Sequence, residues 1–596
     1  MTEARRVRSL VVTTIYAVAL FLLGLAYRAT FIADGYSPTD EGWLQSLAGR
    51  VVRGEVPYRD FNFTLPPVTL YKEALLMKLF GDAYGILAAR WAFAIEASII
   101  SVLIFFVMRR FCTERLAFLL VVPTVFFSII LFYYPSYGMD GVFMSVVALI
   151  FLLRPRSVSR FQAVAGGAAL GFAFLAKPPY LGLLGVVFVV WLLAKWKPER
   201  GSTLVDLDLG RRWWYCLAGF TVIVGAAAAY FSSVGALQSF LYQSFVLKSQ
   251  THQFGLLYLI WEDLPAFLFK PPHVGGVIAA IVIAVLLIGL PGRWRRYEPA
   301  LIGAILSATL IGAIFRPTTW GWLQLILATA YGFLLGITLV AAVSAVLVRA
   351  RPQHWLATRL QPIGIPLELP LFAFALEYFQ QYGYTGVLYS YEGAFLTLPT
   401  ALLFVYRLSQ LWPLRARPPS SIATMPGVSA VVIAIWLIVG AALVTRDYVY
   451  YDAPRPQLTA SFITGKLAGV RSRPDNVQHI NQILNLVQQR TRLGDPILVL
   501  PQFPALYFLT GRTDPTRQEW FSPDELVPSL SQQAIAELQA RPPRLVFLER
   551  LDDFDLTGST PVDYPGDPEL APLYAYLMAN YNKVAQIGEI DVLAPR

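Results

Sequence analysis

Asp40 and Glu41 stand side by side in Ser37-Pro38-Thr39-Asp40-Glu41-Gly42-Trp43, a polar segment between the first two long apolar runs of a 596-residue chain. Carboxylates beside a bilayer are expensive unless they are paired, solvated or functional, so an adjacent pair there is a candidate site. If the two open a helix, their side chains diverge by ~100°, and only one can face a given cavity. Asp40 is the candidate general base and Glu41 its hydrogen-bonding or structural neighbour. The plainer alternative is a helix start, because Pro38-Thr39-Asp40-Glu41 is also good N-cap chemistry.

Cations and a second acid could complete a site. Arg53, Arg59 and Lys72 share the segment with the acidic pair. Arg59 could grip a phosphate through its planar fork and Lys72 as a point charge. Lys177, in Lys177-Pro178-Pro179, is a third candidate phosphate ligand. Against each stands snorkelling to the membrane surface. Asp140, in Tyr133-Tyr134-Pro135-Ser136-Tyr137-Gly138-Met139-Asp140-Gly141, is the acid of a second loop; it could bind donor, acceptor or a divalent cation, or simply form an Asp-Gly turn. Glu96, inside the second apolar run, is expected to be neutral or paired with Arg28 or Arg90. His252 and His273 flank an aromatic-rich stretch, 254–273, that reads as an interfacial segment able to cradle a lipid or glycan; neither histidine is assigned a ligand role.

The elements that must position these groups are membrane spans. The chain is 56% hydrophobic and 14% charged, with a mean hydropathy of +0.54, too apolar for a soluble protein of this size. Leu10–Phe31, Gly85–Met108, Cys216–Tyr230, Val274–Leu290 and Val428–Val444 approach or exceed the ~20 residues that cross a bilayer. The first is read as a retained span, since no small-residue cleavage site follows it. The net charge of +10 is not a nucleic-acid footprint. From Arg446 onward there are 14 basic and 18 acidic residues, net −4, which leaves 34 basic and 20 acidic before it, net +14. Those basic residues cluster in every second loop, the positive-inside pattern. The N-terminus is therefore expected in the cytoplasm, with 32–84 as the first external loop. About thirteen spans follow by length, and an odd number puts the C-terminal part outside as well. Cys112 and Cys216 fall at the cytoplasmic face, where two small apolar side chains are expected rather than a disulfide.

After residue 445 the pattern becomes that of a small α/β unit. Val477–Val487 carries helical periodicity, Ile497–Leu500 reads as a buried strand, Ser522-Pro523-Asp524-Glu525 reads as a capping-box helix start, and 544–549 as a second strand. Helices alternating with short strands imply a small parallel sheet. The sequence holds no phosphate loop after a strand, no metal-spaced His/Cys set and no nucleophile elbow. A scaffold or acceptor-binding role is expected for 446–596, and a transmembrane domain for 1–445.

Outside the cytoplasm there are no nucleotide sugars, so a transferase there needs a donor that arrives through the membrane. A polyprenyl-phosphate sugar meets that need. Its phosphate leaves as a stable anion, so the reaction requires one base for the acceptor hydroxyl and cations for the phosphate, not the acid–base pair of a glycosidase. Residues 38–81 carry the closest resemblance: the Asp-Glu pair, then Leu-Ala-Gly-Arg-Val-Val-Arg-Gly-Glu-Val-Pro-Tyr-Arg-Asp-Phe, Pro66-Pro67, Tyr71-Lys72 and Lys78-Leu-Phe-Gly81. This loop resembles that of the GT-C superfamily of polyprenyl-phosphate-sugar-dependent glycosyltransferases, most of all the bacterial branch related to protein O-mannosyltransferases and lipid A aminoarabinose transferases. Gly494–Pro501 and Tyr507–Arg512 resemble the external domain of the same branch. The resemblance implies a polytopic GT-C-like helical membrane protein, Asp40 as the catalytic residue and Asp140 as the acid of the next external loop. One departure stands out: the lipid A enzymes carry Lys-Pro where this chain has Leu65-Pro66, so either Arg59 or Lys72 replaces their phosphate lysine or the donor is held differently. The expected partners are a lipid-phosphate sugar, membrane lipids and a lipid, glycan or protein acceptor; a divalent cation is a candidate cofactor. The alternatives are a transporter or scramblase of lipid-linked sugars and a non-catalytic envelope assembly protein.

Overall fold

The computed structural model describes residues 3–38, 41–127, 134–153, 158–195, 212–247, 336–348, 353–381, 390–410, 452–463, 465–521, 530–549 and 566–596, with isolated positions 332, 350 and 351. Its first half is a bundle: α1 (Glu3–Ala29), α2 (Trp43–Val52), α3 (Val68–Phe80), α4 (Ile86–Met108), α5 (Glu114–Phe127), α6 (Tyr137–Leu152), α7 (Arg160–Ala176), α8 (Leu181–Lys195) and α9 (Trp213–Ser233). Among the described residues, three helices are long and apolar enough to cross a membrane: Ser9–Ala29, Ile86–Met108 and Trp213–Ser233. They match three of the runs expected from the sequence. The runs at 274–290 and 428–444, the stretch 254–273 with its two histidines, and the Ser522 cap lie outside the described residues.

The helix α4 is the hub. It packs against α1, α5 and α6, and its inward face buries Phe93, Ala97, Ile100, Ile104 and Phe105. Leu10, Val11, Ile15, Val18 and Leu22 of α1 are instead exposed, an apolar face of the kind that lipid covers. Between α7 and α9 the backbones approach closely. A Cβ on Gly167 would stand 1.8 Å from the Cys216 carbonyl oxygen, and one on Gly219 would stand 2.0 Å from that of Val164. Small residues four apart on facing helices let backbones touch where no hydrophobic force separates helix from lipid. Cys216 is buried by this crossing and is not bonded to Cys112.

Two short helices lie in the segment 32–84, α2 and α3. Tyr58, between them, has φ +69°, and its buried ring packs edge-on to Phe231 of α9 at 5.1 Å. Ser136 starts α6 as an N-cap, accepting from the Gly138 amide. That cap puts Asp140 in the first turn, where a carboxylate complements the helix dipole.

The C-terminal segment forms its own sheet. After a two-residue pair, β1 (Ala460–Ser461) and β2 (Arg471–Ser472), come β3 (Ile497–Leu500), β4 (Leu545–Glu549), β5 (Tyr581–Ile587) and β6 (Ile590–Pro595), ordered β3-β4-β6-β5. β3 and β4 are parallel, as their helix-separated order predicts. The expectation of an all-parallel sheet needs correction, because β6 adds antiparallel to β4 and β5 antiparallel to β6. Ile587 pairs with Ile590, leaving Gly588-Glu589 as a two-residue turn with Gly588 at φ +55°. The helix expected at Val477–Val487 spans Pro474–Arg490, with proline at its first position.

This segment is seated on the loop 32–84. Arg455 Nε lies 2.6 Å from Asp34 Oδ2, and Arg471 pairs with the same carboxylate. Arg50 donates to the Thr516 carbonyl at 3.1 Å and to Glu55 at 2.7 Å, and its Nη1 lies 3.6 Å from Glu519. Asn62 donates to Gln518 at 2.9 Å. Gly42, at φ +97°, abuts Ala505, where a Cβ would approach within 2.7 Å of the alanine methyl.

Candidate active site

Lys72, on α3, reaches across to two helices of the bundle. Its ammonium lies 2.9 Å from Glu96 Oε2 on α4 and hydrogen-bonds Asp140 Oδ1 on α6. The first loop and the start of α6, 68 residues apart in sequence, thus meet at one charged point. Next along α3, Glu73 is fully buried. Its Oε2 accepts from Tyr84 OH at 2.6 Å and from Gln45 Nε2 at 3.0 Å. One oxygen of each acid, Glu73 Oε1, Glu96 Oε1 and Asp140 Oδ2, is buried without a hydrogen-bond partner among the described residues.

Charge balance decides what such a cluster can do. Two carboxyl groups contact one ammonium and a third, Glu73, is buried next along α3, so full ionisation would leave excess negative charge in a place with little water. Burial pushes the Glu73 carboxyl above the ordinary range, against the opposing pull of Lys72 and Tyr84. Burial alone would lower the Lys72 ammonium, but Asp140, Glu96 and Glu73 outweigh it and hold lysine firmly protonated. The cluster therefore offers a fixed cation and spare acceptor oxygens, able to bind a proton or to orient a hydroxyl. Among the described residues, no three His, Cys, Asp or Glu side chains are grouped so as to hold a metal.

Glu41 occupies a different position. Arg90 Nη2 donates to Glu41 Oε2 at 2.6 Å, its Nε hydrogen-bonds Oε1, and the same guanidinium donates to the carbonyls of Ile32 at 2.8 Å and Gly35 at 2.6 Å. Both side chains are buried. In the described structure Glu41 anchors the loop to α4 through Arg90. Asp40 and Thr39 lie outside the described residues, bracketed by buried Pro38 and Glu41.

The remaining candidates divide. Arg59 is bonded to Asp60 at 2.9 and 2.8 Å and to the Val234 carbonyl at 3.2 Å, away from the cluster's partners. Lys177 is buried and donates to the Gln380 carbonyl. Its turn nonetheless packs on the Asp140 helix: Tyr180 OH donates to the Gly138 carbonyl at 3.0 Å, and a Cβ on Gly141 would stand 1.9 Å from the Tyr180 ring. Glu96 pairs with neither Arg28 nor Arg90. It lies six residues after Arg90, about 240° around α4, so the two face different neighbours. Arg28 turns to Gly24 O and Ser98 Oγ.

No protein-family model and no curated protein matches the sequence. Solved structures are similar in outline. An Archaeoglobus fulgidus oligosaccharyltransferase tethered to an acceptor peptide with an NVT sequon aligns at 11% identity and a TM-score of 0.47, over 90% of this chain and 69% of that one. ArnT from Cupriavidus metallidurans, bound to undecaprenyl phosphate, aligns at 15% identity and 0.44, over 98% and 97%. The archaeal oligosaccharyltransferase AglB from Archaeoglobus fulgidus, in complex with an inhibitory peptide and a dolichol-phosphate, aligns at 11% and 0.47, over 100% and 75%. Likenesses of this order leave the chemistry to the side chains.

Sequence reasoning missed Gln45, Glu73 and Tyr84, and it did not assign Glu96 to Lys72. The available signal was charge: an acid within the second span and a lysine in the preceding loop are opposite charges that a low-dielectric site brings together.

Proposed function

We propose that the chain is a GT-C-type membrane glycosyltransferase that transfers a sugar from a polyprenyl-phosphate donor to an acceptor on the extracytoplasmic side. Residues 1–445 form its transmembrane domain and 446–596 an extracytoplasmic α/β domain seated on the first loop. The supporting observation is the Lys72–Asp140–Glu96 cluster, which joins the first loop to α4 and to the head of α6. In this reading Asp40 takes the proton from the acceptor hydroxyl as it attacks the anomeric carbon, and the carbon–oxygen bond to the phosphate breaks. The phosphate departs as an anion, its charge balanced by cations at the bundle mouth, with Lys72 held in place by Asp140 and Glu96. Glu41 and Arg90 position the loop. The donor's lipid tail lies in the bilayer beside the apolar helix faces.

The test is transfer from a polyprenyl-phosphate sugar in proteoliposomes, with lipid, glycan and protein acceptors offered separately. Lys72→Met is expected to lower turnover by about 10²-fold, the scale for removing one preorganised electrostatic group. Movement of lipid-linked sugar between leaflets without any transfer would replace this reading with the transporter alternative.

A further inference from the structure

Arg28 closes the last turn of α1, at the end of the span that meets the loop 32–84. An arginine there ordinarily snorkels to water, because its long stem can carry the charge out of the hydrocarbon. This one does not: its side chain is 1% exposed. It folds back, and Nη1 donates to the Gly24 carbonyl at 3.0 Å and to Ser98 Oγ at 3.3 Å. Ser98 spends its own proton on the Ala94 carbonyl at 2.7 Å, so its lone pair is what steadies the guanidinium. The other edge of the group, Nε and Nη2, is buried with no hydrogen-bond partner among the described residues. Those two N–H bonds form the side-on fork that fits a carboxylate or phosphate with two parallel hydrogen bonds. Burying a fixed cation with its best donors unused is costly, and an intramembrane charge of this kind calls for an anionic partner.

We infer that Arg28 is an anion receptor built into the end of the first span, and that its ligand is the phosphate of a membrane lipid. The depth agrees with this, since the last turn of a spanning helix lies at the level of lipid phosphates. Arg59, Lys72 and Arg90 each sit against an acid, Asp60, Asp140 with Glu96, and Glu41, whereas the Arg28 fork meets none among the described residues. The inference needs only a chain that spans a membrane, and it stands whether or not a sugar is transferred. Two lipids supply this chemistry, a polyprenyl phosphate and a bulk anionic phospholipid, and binding tells them apart.

The full-length protein in neutral detergent is titrated with undecaprenyl phosphate and, separately, with phosphatidylglycerol, for the wild type, Arg28→Gln and Arg28→Lys. Removing a charge-assisted fork is expected to weaken binding about 10- to 100-fold in Arg28→Gln, with Arg28→Lys in between because it keeps charge and loses the second hydrogen bond. Loss confined to undecaprenyl phosphate assigns the site to the polyprenyl lipid; loss confined to phosphatidylglycerol, or shared by both, assigns it to anionic lipid in general. Unchanged binding of both lipids by folded Arg28→Gln overturns the inference. Should that variant not fold, Arg28→Lys decides, since it keeps the charge and loses the fork. Weaker binding of the lipid phosphate by folded Arg28→Lys supports the receptor, and wild-type binding of both lipids by it overturns the inference.

Discussion

Replacing Arg90 with methionine tests whether the loop that carries Asp40 is held by a buried ion pair. The guanidinium serves both oxygens of Glu41 and the carbonyls of Ile32, Asp34 and Gly35. Arg90 is 1% exposed and Glu41 3%, so methionine would leave a carboxylate stranded away from water. Breaking one side of a buried pair costs about 3–5 kcal/mol. Three backbone acceptors lose a donor as well, but each regains water once the loop loosens, so about 4 kcal/mol is the expected total. Arg90→Met with Glu41→Leu removes the stranded charge along with its partner, and about half or more of the loss should return. The assay is urea unfolding of the detergent-solubilised chain, with all variants compared at one detergent concentration. A single variant within about 1 kcal/mol of wild type, or a double variant no more stable than Arg90→Met, would refute the anchoring role.

Three further outcomes follow. Burial pushes the Asp514 carboxyl up to about 8 and that of Glu519 up to about 7, with Arg50 opposing both. In the unfolded chain each ionises near the usual ~4, so between about pH 4 and 8 the folded chain binds more protons, and stability falls as pH rises through that window. Asp514→Asn should flatten that downward slope of unfolding midpoint against pH, and a downward slope left intact by that variant contradicts the reading. Gly167→Val should separate α7 from α9, at a cost of about 3 kcal/mol or more, because the clash is with the Cys216 backbone and not with a movable side chain; yield and melting temperature report it, with Gly185→Val, where the added Cβ meets nothing within 4 Å, as the control. Asp34→Ala should leave Arg455 and Arg471 without their shared carboxylate, and protease susceptibility of residues after about 446 should rise while the α7–α9 pairing is unchanged.

How much of this was legible beforehand depends on range. The three long spans follow from composition, and β3, β4 and the helix Pro474–Arg490 follow from local periodicity and proline placement. The β5–β6 hairpin had its signal too, a Gly-x pair between apolar segments, but the short strands carry exposed polar residues that blur the alternation. Asp140 and Lys72 were both singled out, yet nothing local says that they touch, since their contact depends on how α3 crosses α4 and α6. Glu96 shows the same limit from another side: the sequence offered it Arg28 and Arg90, and the fold pairs it with Lys72 of the loop instead. Arg28 and Arg90 look alike in sequence, each near a span end. Only packing shows that one is fully engaged and the other keeps its fork open.

The proposal that Asp40 is the base for sugar transfer is tested by following a radiolabelled sugar from its polyprenyl phosphate in reconstituted wild type and Asp40→Asn, with equal folding confirmed by melting. Turnover by the wild type is expected, with a loss of at least about 10²-fold in the variant, the low end for removing a general base. Equal turnover by both would contradict it.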